Sequence, residues 1–372
     1  MIEKKQILKT SRGNASIGYI PQLDGIRGLA IILVVTFHYW GNIPLFTFGW
    51  SGVDLFFVLS GYLITDRLIV LQQQKDFLKR FYINRALRIM PVYYLTLILF
   101  YAAFNLFVKK QNFHLFIFYD QNWASFVLFL QNWSFQFYHG VKENYLQHFW
   151  SLAIEEQFYL LWPFFLYQFR QKKYFYKLVL SVIIIVCART LLFITHPSWE
   201  DYGYYFYNTF CRMDAFLIGG CLLLLQQGNY NIPYRNLSIA ALAIIFAGIF
   251  YVGNAIGYAN PFISTIGLTL IAVMYGGLIY AASNNTSKFI STIFNYGWLK
   301  FTGKISYGLY IFHWLILRLL SARIEHWLID DLHVKNELSR ELSLFICLGI
   351  SYAISVLSYF YFELYFLKKK LR

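Results

Sequence analysis

Long runs of mainly apolar residues, broken by shorter polar segments, set the pattern of this chain. A membrane-crossing helix needs about 20 predominantly apolar residues. Ten stretches meet that pattern: roughly 27 to 41, 50 to 71, 88 to 108, 148 to 169, 175 to 195, 205 to 227, 237 to 256, 262 to 282, 297 to 320 and 342 to 366. An eleventh stretch, "HLFIFYDQNWASFVLFLQNW" at 114 to 133, is apolar enough to enter a bilayer but would reverse the order of faces if it crossed. It is expected to be re-entrant or interfacial, with other helices shielding its backbone. The leading segment has no early apolar core followed by a small-residue cleavage site, so no cleaved signal peptide is expected and the first stretch stays in the protein.

Charge fixes an orientation. With the N-terminus inside, the inner segments hold 22 lysines and arginines, among them Lys4, Lys5, Lys9 and Arg12, the loop from 67 to 88, "RQKKYFYK" at 170 to 177, and the final "LKKKLR". The outer segments hold six, including Lys109, Lys110 and Lys142, and they also carry Glu200, Asp201, Asp330 and Asp331. Cationic loops stay on the cytoplasmic side, so both termini are expected there.

Composition agrees: 58% of the residues are hydrophobic, 13% are charged and the mean hydropathy is +0.48. These values belong to an all-α, polytopic integral membrane bundle of about ten transmembrane helices, not to a soluble domain. The net charge of +14 is spread over loops of one membrane face, which argues for topology over nucleic-acid binding. The four cysteines, Cys187, Cys211, Cys221 and Cys347, all fall within the apolar stretches with no CxxC or His-paired spacing, so neither a disulfide framework nor a metal site is expected. No repeat, low-complexity run or long linker interrupts the chain. One integral membrane domain over 1–372 is expected, with its core at about 19–366.

Ionisable residues inside such stretches are costly unless they pair or face water, so each is a functional candidate. At 1.5 Å per residue the eleven steps from Arg27 to His38 cover about 16 Å, from the inner end of the first stretch to beyond the midplane. The same count puts Glu155 and Glu156, Arg212 and Asp214, Asp54 and His313 in the outer half, with His148 near the outer surface. Arg212 and Asp214 are equally well read as structural ion pairs, and His313 as an ordinary interior histidine. His38 is the strongest candidate for a general base, because a neutral imidazole accepts a proton at working pH.

Six blocks, "LDGIRGLAIILVVTFH", "GVDLFFVLSGYLIT", "RALRIMPVYYL", "HFWSLAIEEQFYLLWP", "RMDAFLIGG" and "GKISYGLYIFHW", together resemble the acyltransferase 3 family of bacterial integral membrane acyltransferases, in the same order. The resemblance runs from about Tyr19 to about Phe366. The family's pattern of a basic residue, ten spacers and a histidine matches Arg27 and His38, and its RxxR pattern matches Arg85 and Arg88. Two departures bear on acceptor choice: the C-terminal SGNH-type domain of many relatives is not found here, so a stand-alone form is expected, and "YFELYFLKKK" stands where many relatives place a Glu followed closely by Pro.

The resemblance implies an acyl donor, usually acetyl-CoA, taken from the cytoplasm. It implies an acceptor hydroxyl on a surface or secreted carbohydrate (O-antigen, capsule, exopolysaccharide or lipid-linked glycan), reached from the other face of the bacterial inner membrane. Membrane lipids are the surrounding partner, and neither nucleic acid nor metal is implied. Guanidinium forks suit the phosphates of the donor, which places Arg27, Arg85 and Arg88 at its site. With His38 as base, Glu155 or Glu156 is expected to orient it or to hold acceptor hydroxyls, Arg212 and Asp214 to offset charge, and Asp24, Asp54, His148 and His313 to contact substrate. Ser60 and Ser151 lack a nucleophile-elbow motif, which favours direct transfer over an acyl-enzyme. The competing class is a secondary transporter, whose proton relays use the same residue types. No paired broken helices mark two related halves, as such transporters often show.

Overall fold

The computed structural model describes residues 18–72, 74–103, 113–137, 145–169, 174–196, 203–228, 230, 232–252 and 260–371. All regular structure among them is helical, and each of the ten apolar stretches coincides with a long helix. These are α1 (Pro21–Trp40), α2 (Gly52–Leu71), α3 (Phe77–Ala103), α6 (Trp150–Phe169), α7 (Tyr174–Thr195), α8 (Thr209–Gln227), α9 (Tyr234–Val252), α10 (Leu268–Ser283), the pair α11 (Gly297–Lys304) and α12 (Ser306–Asp330), and α13 (Asn336–Leu357). Two shorter helices, α4 (Phe113–Val127) and α5 (Gln131–Phe137), lie between α3 and α6.

By length and composition, seven helices among the described residues are able to cross a membrane, or eight if α11 and α12, bent by 73° at Ile305, count as one. The helices α2 and α6 reach 20 residues each but are too polar to qualify. The cause is Asp54, Asp66 and Arg67 in α2, and the run Glu155, Glu156, Gln157 in α6. These two helices carry much of the candidate site, and polarity that a single pass through lipid would not tolerate is directed into the bundle.

The segment 114–133 forms α4 and a break at Phe129, which has φ of 55°, before α5. The 15 residues of α4 span about 22 Å, short of the roughly 30 Å hydrocarbon core. The basic residues at 4, 5, 9, 12, 109, 110, 142, 170, 172 and 173, and Glu200 and Asp201, lie outside the described residues.

Burial sorts the helices into an inner and an outer set. The span Tyr204–Gln227 is 72% buried, whereas Tyr176–Thr195 and Tyr234–Val252 are each 11% buried and turn Leu180, Ile183, Ile184 and Phe250 outward. The inner helices approach to backbone contact. A Cβ at Gly61 of α2 would run into the carbonyl of Phe216, and one at Gly219 of α8 into that of Val58. Small residues at such crossings are how helices associate where lipid supplies no hydrophobic drive. The approach of α2 to α8 sets Asp54 against Arg212. Helix ends follow local rules: Pro21 starts α1, and Asn208 caps α8 by accepting from the Phe210 N–H at 3.0 Å.

Candidate active site

Most residues flagged from the sequence fall in two cavities and in buried ion pairs, the inner cavity toward the N-terminal end of α1 and the outer cavity toward its C-terminal end. The inner cavity, about 80 Å³, is lined by Arg27 of α1, Ser60 of α2, Arg85 and Arg88 of α3, Ser151, Glu155 and Tyr159 of α6, and Tyr307 and Tyr310 of α12. The outer cavity, about 250 Å³, is lined by His38, His148, Gln147 and a wall of Phe37, Trp50, Trp150, Phe206, Tyr207 and Trp314. Val53 and Tyr310 belong to both linings, so the two cavities lie on either side of these two residues.

Hydrogen bonds fix the tautomers in the outer cavity. His313 Nδ1 lies 2.9 Å from the Leu309 carbonyl, which only accepts, so Nδ1 carries the hydrogen. In the neutral ring His313 Nε2 is then an acceptor, and His38 Nδ1, 2.8 Å away, donates to it. His38 Nε2 is left with a bare lone pair. Its ring also lies 4.7 Å from that of Trp314. His148 follows the same logic in reverse: Nε2 donates to the Ile311 carbonyl at 3.2 Å, and Nδ1 has no hydrogen-bond partner among the described residues. The outer cavity thus presents His38 Nε2 as a free acceptor, while His148 Nδ1, unpartnered among the described residues, is buried.

The glutamates expected beside His38 lie elsewhere, and His313 is its partner instead. Glu155 is seven residues past His148, about 10 Å further along the helix, and belongs to the inner cavity. There it accepts from Ser60 Oγ at 2.5 Å and from the Tyr159 hydroxyl. Glu156 projects from α6 into a separate lateral cavity shared with Arg85 and Gln157. Ser151 donates to the Tyr310 hydroxyl at 2.5 Å, which in turn donates to the His148 carbonyl at 2.6 Å, locking the wall between the cavities.

Positive charge gathers near the N-terminal end of α1. Arg27 pairs with Asp24 at 3.0 Å, and Asp24 also accepts from the Tyr19 hydroxyl at 2.8 Å. Neither Arg85 nor Arg88 forms an ion pair among the described residues. The Arg85 Nε is buried without a hydrogen-bond partner. Two guanidinium groups facing one cavity suit a bound anion.

The remaining candidates are structural neighbours of the site. Arg212 pairs with Asp54 at 2.8 Å, both nearly inaccessible, and its guanidinium lies 4.8 Å from the Phe206 ring and 5.6 Å from Trp150, behind the aromatic wall. Asp214 faces away from both cavities. It accepts from Arg189 at 3.0 Å and from Thr269 at 2.5 Å, while Arg189 also donates to the Thr265 and Cys211 carbonyls. Sequence reasoning missed Arg189, although a lone arginine in the middle of the apolar stretch 175–195 carries the same signal as the residues it flagged.

Comparison with known proteins places this architecture. The acyltransferase-domain family matches residues 20–361. The peptidoglycan O-acetyltransferase OatA of Listeria monocytogenes is 32% identical over 328 residues, which is 82% of this chain and 51% of that protein. The putative peptidoglycan O-acetyltransferase YrhL of Bacillus subtilis is 28% identical over 324 residues, 80% of this chain and 49% of that protein. The putative O-acetyltransferase SACOL0978 of Staphylococcus aureus is 30% identical over 323 residues, 80% of this chain and 51% of that protein. The chain therefore spans about half the length of these relatives. No solved structure matches it. With the family match covering both cavities and every helix that lines them, the chain belongs to the acyltransferase 3 family of multi-pass membrane proteins.

Proposed function

We propose that this protein transfers an acyl group, acetyl in the first instance, from cytoplasmic acyl-CoA to a hydroxyl of a cell-surface glycan, with His38 as general base. The observation that supports the reading is the adjacency of the two cavities across Val53 and Tyr310, which sets an arginine-lined inner mouth next to a histidine-lined outer chamber. The names of the relatives make peptidoglycan the first acceptor to test.

In the reaction the acceptor O–H gives its proton to His38 Nε2 as its oxygen attacks the thioester carbonyl. Collapse of the tetrahedral intermediate breaks the C–S bond, and the coenzyme thiolate recovers the proton from His38. The products are the O-acyl glycan and free thiol. The aromatic wall offers apolar surface to the C–H faces of a sugar. Arg85 and Arg88 hold donor phosphate.

Purified protein in detergent, given radiolabelled acetyl-CoA and peptidoglycan fragments, is expected to release CoA thiol in step with labelled glycan. Replacing Arg85 and Arg88 together by Ala is expected to raise the donor KM. Export of glycan without consumption of thioester would favour the transporter reading instead.

A further inference from the structure

On the inner side of the arginine layer lies a third cavity, about 340 Å³, outside the two that hold the reacting groups. It shares Arg27, Arg88 and Tyr307 with the inner cavity and adds Lys304 of α11 and Lys370 of the C-terminal tail. The tail is held in place. Asn84 of α3, a buried residue, accepts from the Leu371 N–H at 2.7 Å and donates to the Leu371 carbonyl at 2.9 Å. This reciprocal pair uses both functions of one amide side chain and fixes the residue next to Lys370.

The carboxylates lining this vestibule are Asp24 and Glu363, against Arg27, Arg88, Lys304 and Lys370. Asp24 is already engaged by Arg27 and Tyr19, and Glu363 accepts from Ser358 at 3.2 Å. Burial, and then the positive charges of Arg88, Arg85, Arg27 and Arg67, push the Lys370 ammonium down to about 7. A bound dianion relieves that repulsion.

From its thioester, coenzyme A runs in a fixed order through the neutral pantetheine arm to the diphosphate and then the ribose 3′-phosphate. A thioester threaded toward His38 leaves the diphosphate at the arginine layer, so the 3′-phosphate falls on the far side of that layer. We propose that the vestibule is a 3′-phosphate site, with Lys370 and Lys304 as its cations and Asn84 as the residue that positions Lys370. The assignment rests on the acyl-CoA reading above.

The test is equilibrium binding of CoA and of 3′-dephospho-CoA to the full chain in detergent, which needs no acceptor. Lys370→Ala is expected to weaken CoA binding by roughly 10- to 100-fold, the range for a charge-assisted hydrogen bond, and to leave dephospho-CoA within about twofold. Asn84→Ala should show the same discrimination with a smaller loss. Equal loss for both ligands would overturn the assignment and leave Lys370 a structural residue. Lys304→Ala supplies a second variant should the tail variants misfold. Repeating the measurement in phosphatidylcholine vesicles, with and without phosphatidylglycerol, separates the two phosphate sources. A Lys370 effect that follows anionic lipid and ignores the 3′-phosphate would assign the vestibule to a lipid headgroup and reject the proposal. Failure of the wild-type protein to bind either ligand would remove the donor reading itself, and this assignment with it.

Discussion

His38 and His313, 275 residues apart in sequence, are joined by a 2.8 Å hydrogen bond whose direction is set by the Leu309 carbonyl beyond it. One backbone acceptor thereby determines which nitrogen of His38 is free to act as a base. His313 is a positioning residue on this account. His313→Ala removes the acceptor for His38 Nδ1–H and should lower kcat by about 10- to 100-fold, less than the 10²- to 10⁴-fold worth of a full general base, at little change in donor KM. His313→Gln keeps an acceptor oxygen and should recover part of that loss. Equal kcat values for the two variants would show that His313 does not act through His38.

The Arg189 and Asp214 pair is a stability element. Removing one partner of a buried ion pair costs about 3–5 kcal/mol, because the other charge is stranded. Asp214→Ala and Arg189→Ala should each lower the melting temperature in detergent sharply, while the double variant carrying Arg189→Met and Asp214→Leu should recover most of it. A well-folded Asp214→Ala protein that binds donor but does not transfer would return Asp214 to the chemistry.

The fold class was legible because membrane helices announce themselves by length and apolarity. All ten stretches coincide with helices, and even the polar α2 and α6 are recoverable from the aromatic and aliphatic residues around Asp54 and Glu155. The intramembrane ionisable residues were legible as a set, but their partners were not. A helix count gives depth along the axis, yet which face of α6 turns toward α1 depends on packing, so Glu155 was expected near His38 and lies beside Ser60 and Tyr159 instead. His313 paired with His38 through the geometry of α1 against α12, a contact no local pattern encodes. Lys370 read as one more cytoplasmic charge, because only the fold brings the tail to Asn84.

The separation of basic residues predicts the topology. Reporter fusions after Lys177 and after Arg372 should report cytoplasm, and one within 325–337 should report the outer face. The opposite pattern would place the arginine layer away from the CoA pool and break the link between the vestibule and the donor.

The central claim is that His38 Nε2 takes the acceptor's proton. The most direct measurement is single-turnover acetyl transfer by His38→Gln, with CoA affinity determined on the same purified sample. The glutamine amide still donates to His313 but does not accept a proton in this pH range. The account predicts CoA affinity within about twofold of wild type and transfer slowed by about 10²- to 10⁴-fold; transfer at a rate near that of wild type would contradict it.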